Sequence, residues 1–257
     1  MRPAFPLILT TCLALLAAPQ VRAQQPKPDE SKDAKVIAEI KKHGGEATLD
    51  EKNPDKPVIG VLFSAFALED DDLAVLKLLP KLKQLRITGS TKLTDDALAH
   101  IKALKDLQEL SLTNLRITDD GLKALEGMAS LKILDLSEST KIGDAGVAHL
   151  AGLTKLENLS LKHTRVTSKG LENLRQLTKL DSLDLSETNV TDEGVVHLKA
   201  LANLEKLILT STKISDEGLK TLQDFSTLTY LGLGKTQVTA QGLASLERAL
   251  PRATIVH

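Results

Sequence analysis

From Val58 to the C-terminus, leucines and their aliphatic substitutes fall on a grid that repeats about every 24 residues. Leu82, Leu107, Leu131, Leu156, Leu180, Leu204 and Leu228 each open a Leu-x-x-Leu-x-Leu/Ile run, at spacings of 25, 24, 25, 24, 24 and 24 residues. Within a run the last two apolar residues alternate with a variable one, as in Leu134-Asp135-Leu136. Alternation with period two predicts a short strand with one buried face. The second half of each unit changes period. Leu122, Leu125 and Met128, or Leu171, Leu174 and Leu177, recur every three residues, which suits one face of a helix. A fixed period in this range marks a stack of small units, none of which can bury its leucines alone.

The polar positions punctuate the same grid. Thr118, Thr167, Thr191, Ser215 and Thr239 stand where a helix needs an N-cap, and their hydroxyls can accept from free backbone N–H groups. Asp119, Asp192 and Asp216 follow, at the positive end of the helix dipole. Gly121, Gly146, Gly170, Gly194, Gly218 and Gly242 then recur at one place. Glycine is poor in a helix, so its repetition predicts that the helix start approaches its neighbour's backbone closely. A hydroxyl column, Thr91, Thr140, Thr164, Thr188, Thr212 and Thr236, follows the strand and is expected to satisfy backbone groups freed at the inward turn. Leu115 interrupts that column. Strands stack about 4.8 Å apart while helices need about 8–10 Å, so the array must curve with strands inside and helices outside.

These residues resemble those of leucine-rich repeat proteins. The form Thr-x-Val/Ile-Thr-Asp-x-Gly-Leu/Val-x-x-Leu, written in full at Thr188–Leu198, is similar to the bacterial GALA-like group and to the repeats of eukaryotic F-box receptors. The resemblance covers Val58 to His257. It implies an α/β fold, a right-handed leucine-rich repeat solenoid curved as a horseshoe, with short parallel strands on the concave face and helices on the convex face. Two departures separate the chain from F-box receptors. Its repeats carry no cysteine, and Gln24–Pro57 is too short and too polar to supply an F-box.

The N-terminus changes the picture of where the chain works. Met1–Ala23 reads as a secretory leader: Arg2 is its basic start, Leu7–Ala18 its apolar stretch, and Val21-Arg22-Ala23 the cleavage region. The apolar stretch is short for a membrane span. Cleavage after Ala23 would leave a secreted or periplasmic chain with no membrane span. The single cysteine, Cys12, lies in this leader behind Thr11, not behind the small residue that lipidation requires. The remainder then has no thiol chemistry and nothing to mispair in an oxidising compartment. Without Arg2 and Arg22, 31 basic side chains face 34 acidic ones, so no basic excess suggests nucleic acid. Residues 24–33 are rich in Pro, Lys and Asp and read as a flexible linker. Residues 34–57 read as an N-terminal capping segment, with a short helix over Ala34–His43 and an edge strand over Ala47–Asp50. Residues 58–257 form the repeat domain, comprising a degenerate first repeat at 58–81, seven clear repeats from 82 and a closing strand at 250–256.

Candidate chemistry is sparse. His100, His149 and His197 share one helix position, but in alternate repeats, which separates them by more than about 15 Å. Metal coordination at about 2 Å is out of reach, and no metal or cofactor is expected. Asp135 and Asp184, each followed by Glu138 or Glu187 in identical Leu-Asp-Leu-Ser-Glu contexts, lie two strands apart, about 10 Å. That is near the upper limit for an inverting glycosidase pair, yet the repeat alone accounts for their placement. Ser-His-Asp order, phosphate-cradling glycine loops and dinucleotide fingerprints do not occur.

The variable inner-face positions remain. One column reads Gln84, Glu109, Ile133, Asn158, Ser182, Lys206, Tyr230; the next reads Arg86, Ser111, Asp135, Ser160, Asp184, Ile208, Gly232; the third is mostly hydroxyl. Hot spots favour Trp, Tyr and Arg, and this chain has no Trp and one Tyr. Tyr230 with Lys206, Ile208 and Arg252 is therefore the candidate anchor for a partner. Asp135, Asp184, Glu138 and Glu187 form a second candidate patch, for a basic partner or weakly for a cation. The reading is a monomeric, non-catalytic protein-binding module. Its competitors are a secreted effector that recruits a host protein, an envelope assembly unit, and a glycan hydrolase using the inner-face acids.

Overall fold

The computed structural model describes residues 33–64 and 67–257, so the expected leader and the linker up to residue 32 lie outside it. Ten strands, β1 (Gly45–Leu49), β2 (Val58–Phe63), β3 (Gln84–Thr88), β4 (Glu109–Thr113), β5 (Ile133–Asp135), β6 (Asn158–Ser160), β7 (Ser182–Asp184), β8 (Lys206–Ile208), β9 (Tyr230–Gly232) and β10 (Thr254–Val256), form one sheet in chain order. β1 and β2 pair antiparallel; every later pair is parallel. The register runs Leu85, Leu110, Leu134, Leu159, Leu183, Leu207, Leu231 without a slip. Those leucines are buried to within 2% of complete. Each apolar residue thus sits on the same residue of the level below, and one continuous core runs from Ile37 to Leu250.

The return half of each repeat is short. Five-residue α-helices α2 (Asp95–Ala99) and α3 (Asp144–Ala148) alternate with 3-10 turns at Gly121–Leu125 and Gly170–Leu174. The three-residue recurrence of Leu122, Leu125 and Met128 suits the 3-10 pitch of about three residues per turn. Longer helices follow: α4 (Asp192–His197), α5 (Asp216–Leu222) and α6 (Ala240–Ala249). At the other end the amphipathic helix α1 (Ala34–Lys42) buries Ile37 and Ile40. Its C-terminal His43 places one ring nitrogen 3.0 Å from Glu39 and the other 3.0 Å from Asp72 of the first 3-10 segment, Asp70–Leu78. The capping segment is thereby joined to the first level.

The polar punctuation works across repeats more than within them. Asp70, Asp95, Asp144, Asp192 and Asp216 each accept two hydrogen bonds from the Thr or Ser that leads into the next return segment, one from its N–H at 2.7–2.8 Å and one from its hydroxyl at 2.6–2.7 Å. Asp119 accepts one, from the N–H of Gly143. The N-cap hydroxyls of Thr94, Ser215 and Thr239 accept from their own helices at 3.4, 3.3 and 3.1 Å. Thr118 and Thr167, by contrast, are not N-caps: they stand two residues before the caps Asp120 and Lys169 of their 3-10 segments and accept from those N–H groups at 3.3 Å. Thr191 makes no side-chain cap bond at all. Asp192 and Asp216 do stand in the first turns of their helices, as the dipole reading expects, and the carboxylate ladder adds a second role to them. It also explains the glycine column. A Cβ on Gly218 would stand 2.4 Å from Asp192 Oδ1, and one on Gly242 2.2 Å from Asp216 Oδ1. The close neighbour is chiefly that carboxylate, with the backbone Cα of Asp119 3.3 Å from a Cβ on Gly146. Ser168 stands where an Asp would be, and its hydroxyl accepts from Thr191 N–H at 3.0 Å.

The hydroxyl column also needs a correction. Thr164, Thr188, Thr212 and Thr236 donate to the carbonyls of Leu161, Leu185, Leu209 and Leu233 at 2.6–2.7 Å. In the longer repeats the inward residue is Ser90 or Ser139, both fully buried, whereas Thr91 and Thr140 are exposed. The inward position lies three residues after the last strand leucine, Leu136 to Ser139 as Leu161 to Thr164. The extra residue follows that position, so Thr140 has already left the turn. Ser139 donates back to Leu112 of the preceding level.

Before the strands lies a stack of acids, Glu157, Asp181 and Glu205. Burial, then the like charges of Glu157 and Glu205, push the Asp181 carboxyl above its usual range. A raised folded-state value means that the folded chain holds this proton more tightly than the unfolded one. Stability therefore falls as pH rises from the ordinary carboxylate range through the raised value. Asp181→Asn should raise the Tm at neutral pH, with a gain that shrinks to nothing in acid below the ordinary carboxylate value; melting curves across pH check this, and a gain independent of pH would remove the charge explanation. For the ladder, Asp192→Ala should cost about 1–3 kcal/mol by leaving the Ser215 N–H without its acceptor. Ser168→Asp should instead stabilise the chain. Denaturant unfolding measures both, and a Ser168→Asp chain less stable than the parent would contradict the ladder.

Candidate functional site

The strand face displays three rows at each level. The register puts Gln84, Glu109, Ile133, Asn158, Ser182, Lys206, Tyr230 and Thr254 in one row, and Leu62, Arg86, Ser111, Asp135, Ser160, Asp184, Ile208, Gly232 and Val256 in the next. Beyond the third row the chain turns inward through a left-handed residue: Gly89, Asn114, Glu138, His163, Glu187, Ser211 and Lys235 all have φ between 53° and 74°. Six of the seven carry a side chain there, at a conformational cost of roughly 1–2 kcal/mol each. The conformation recurs because it aims the N–H of one level at the next. Asn114, Glu138, His163, Glu187 and Ser211 donate to Ser137, Lys162, Ser186, Thr210 and Gly234 carbonyls at 2.8–2.9 Å.

The acidic patch is placed on this face but is already engaged. Asp135 Oδ1 accepts from the Ser137 N–H and hydroxyl, at 3.0 and 2.5 Å, and Asp184 Oδ1 does the same with Ser186 at 2.8 and 2.6 Å. The two aspartates close local turns at the strand ends. Glu138 and Glu187 occupy left-handed turn positions, not strand positions. The intervening level inserts Lys162, 3.5 Å from both Glu138 and Glu187, and His163, whose Nδ1 meets Glu138. His163 first, and Lys162 with it, hold the Glu138 carboxyl below its usual range. Glu187 is the largest cause of the raised Lys162 ammonium. The four acids therefore form a mixed-charge cluster, and among the described residues no group of three or more His, Cys, Asp or Glu is arranged to hold a metal ion.

At the C-terminal end the Lys206 ammonium lies 5.5 Å from the centroid of the Tyr230 ring. Ile208 sits one row over, and its Cγ2 would lie 3.0 Å from a Cβ on Gly232. Thr254 pairs with Tyr230, and Arg252, two residues earlier, lines a separate shallow cavity with Ser226, Leu228, Ala249, Leu250 and Pro251. Thr254 and Val256, contributed by β10, take the places beside Tyr230 and Gly232. Their pattern, Thr-Ile-Val with the middle residue inward, was readable as a strand, but its register against β9 was not.

The histidines on the helical side stay apart. His149 Nδ1 is 2.6 Å from Glu126, His197 Nδ1 is 2.5 Å from Arg175, and His100 Nδ1 is buried without a hydrogen-bond partner. No helix among the described residues is long and apolar enough to cross a membrane.

Comparisons with known proteins return to the repeat. One family model, described as a leucine rich repeat, matches residues 105–166, and a second of the same description matches 176–199 and 200–222. A search of curated proteins finds no match. Among solved structures, the crystal structure of internalin C2 from Listeria monocytogenes superposes with a TM-score of 0.56 at 24% identity, covering 74% of this chain and 74% of that one. Strand register, family models and structural likeness agree on one architecture, and the chain is a leucine-rich repeat solenoid.

Proposed function

We propose that this chain is a non-catalytic protein-binding module, acting as a monomer, that takes a protein partner on its strand face. One observation carries the reading. Within each repeat the inward residues are nearly invariant, while the first outward row, from Gln84 to Thr254, holds a different residue at every level and the next row varies along its length, so a rigid support presents a changing surface. Repeat arrays of this kind offer an extended face built of strands rather than a deep pocket. The engagement of Asp135 and Asp184 by their own serines favours binding over acid–base work, because both carboxylates serve the backbone turn. The near balance of charge in the whole chain, formally −1, speaks for a protein partner over nucleic acid. The N-terminal pattern of Arg2, the apolar Leu7–Ala18 stretch and Val21-Arg22-Ala23 supports a place outside the cytoplasm, secreted or periplasmic.

Affinity capture with the purified chain tests the binding, read by mass spectrometry against a Tyr230→Ala, Ile208→Ala bait. A partner retained by the parent should be lost about tenfold or more by that bait, as truncating an aromatic hot spot commonly costs 2 kcal/mol or above. Equal retention by both baits would move the site off this part of the face. For the location, N-terminal sequencing of the protein recovered from envelope or medium should begin at Gln24; an intact Met1 would refute the cleaved leader.

A further inference from the structure

Most of the strand face neutralises its own charge. Arg86 lies 3.4 Å from Glu109, and Lys162 and His163 are held by Glu138 and Glu187. The C-terminal end differs. Among the described residues neither Lys206 nor Lys235 has an ion-pair partner, and the Lys206 ammonium rests instead over the Tyr230 ring at 5.5 Å. Lys235 stands at the left-handed rim position, φ 57°, which projects its level's side chain at the edge of the face. Between the two cations the surface is mainly apolar, broken by the Thr210 hydroxyl beside Gly232. Ile208 and Val256 flank Gly232 in one row of the register, Ile208 leans over that glycine, and Val256 is 46% exposed. An apolar patch with free ammonium groups at its margin is complementary to one kind of partner and repels its opposite.

We propose that this end of the face binds an acidic protein segment, with an aromatic or branched apolar side chain seated on Tyr230, Ile208 and Val256 and flanking Asp or Glu carboxylates on Lys206 and Lys235. The proposal rests on the protein-binding reading above and adds the chemistry of the partner. A basic segment would bring like charge to the two ammonium groups. A purely apolar one would leave them without counter-charge.

The test is selection of displayed random peptides on the full immobilised chain, followed by binding of the enriched sequences, made synthetically, to parent and variants at low and physiological salt. The variants are Lys206→Glu with Lys235→Glu, and Ile133→Lys on the same face further from this end, each confirmed to melt as the parent does. Enriched peptides should carry Asp or Glu around an aromatic or branched apolar residue. Their affinity should fall about tenfold or more with the paired lysine variant, fall with salt, and hold with Ile133→Lys. Enriched peptides that are basic or uncharged would overturn the proposal, as would a failure to enrich any. Peptides lost on Ile133→Lys but kept by the lysine variant would overturn it while leaving the strand face as the binding surface. Peptides indifferent to both variants would count against the strand-face reading as well.

Discussion

Parallel strands can stack only at about 4.8 Å, and that spacing governs everything else in this chain. Every level must present the same atoms at the same height, because a leucine out of register would meet a backbone rather than another leucine. The run from Leu85 to Leu231 is the result: seven residues, all buried, each pairing with the next. Helices cannot follow at that spacing, so the return segments shrink to five residues or tighten into 3-10 turns through much of the array. Burial within one unit is incomplete until its neighbours arrive, and stability belongs to the contacts between levels.

Polar groups obey the same rule. The aspartate at the start of one return segment binds the residue that leads into the next, and the glycine behind it leaves that carboxylate room. The left-handed turn residues send their N–H groups to the following strand. The outer surface is then what remains after each level has satisfied its neighbour. On the middle of the strand face the remainder is a compensated mixture of Asp, Glu, Lys and His. Towards β9 and β10 it is aromatic, aliphatic and cationic.

Much of the fold was legible because hydrophobic periodicity reports it directly. The leucine anchors placed the strands, and the alternation placed their outward rows. What escaped was information that lies between repeats. Asp192 reads as a helix-start acid within its own unit, and nothing local says that its partners are Ser215 N–H and hydroxyl one unit on. A signal was nonetheless present: the column carries Asp at 70, 95, 119, 144, 192 and 216, a recurrence that a single helix start does not require. Thr140 was misplaced because the inserted residue of its longer repeat can be drawn on either side of Ser139, and only backbone geometry settles the side. The candidate site divides in the same way. Tyr230, Lys206 and Ile208 can be grouped from row assignment alone, whereas the place of Arg252 depends on the register of β10. The pairing of Glu138 and Glu187 with Lys162 needed the heights of three levels together.

Ser168 has a mechanical meaning. It is the one joint among these where a neutral hydroxyl replaces a carboxylate, and neutral hydrogen bonds are about half as strong as charge-assisted ones. In a column of charge-assisted couplings the neutral member is the softest to bending per bond. That joint lies between the levels of β6 and β7, where Lys162 also reaches to a glutamate on either side. A ligand lying across β6 and β7 would load that joint before any of the charged ones.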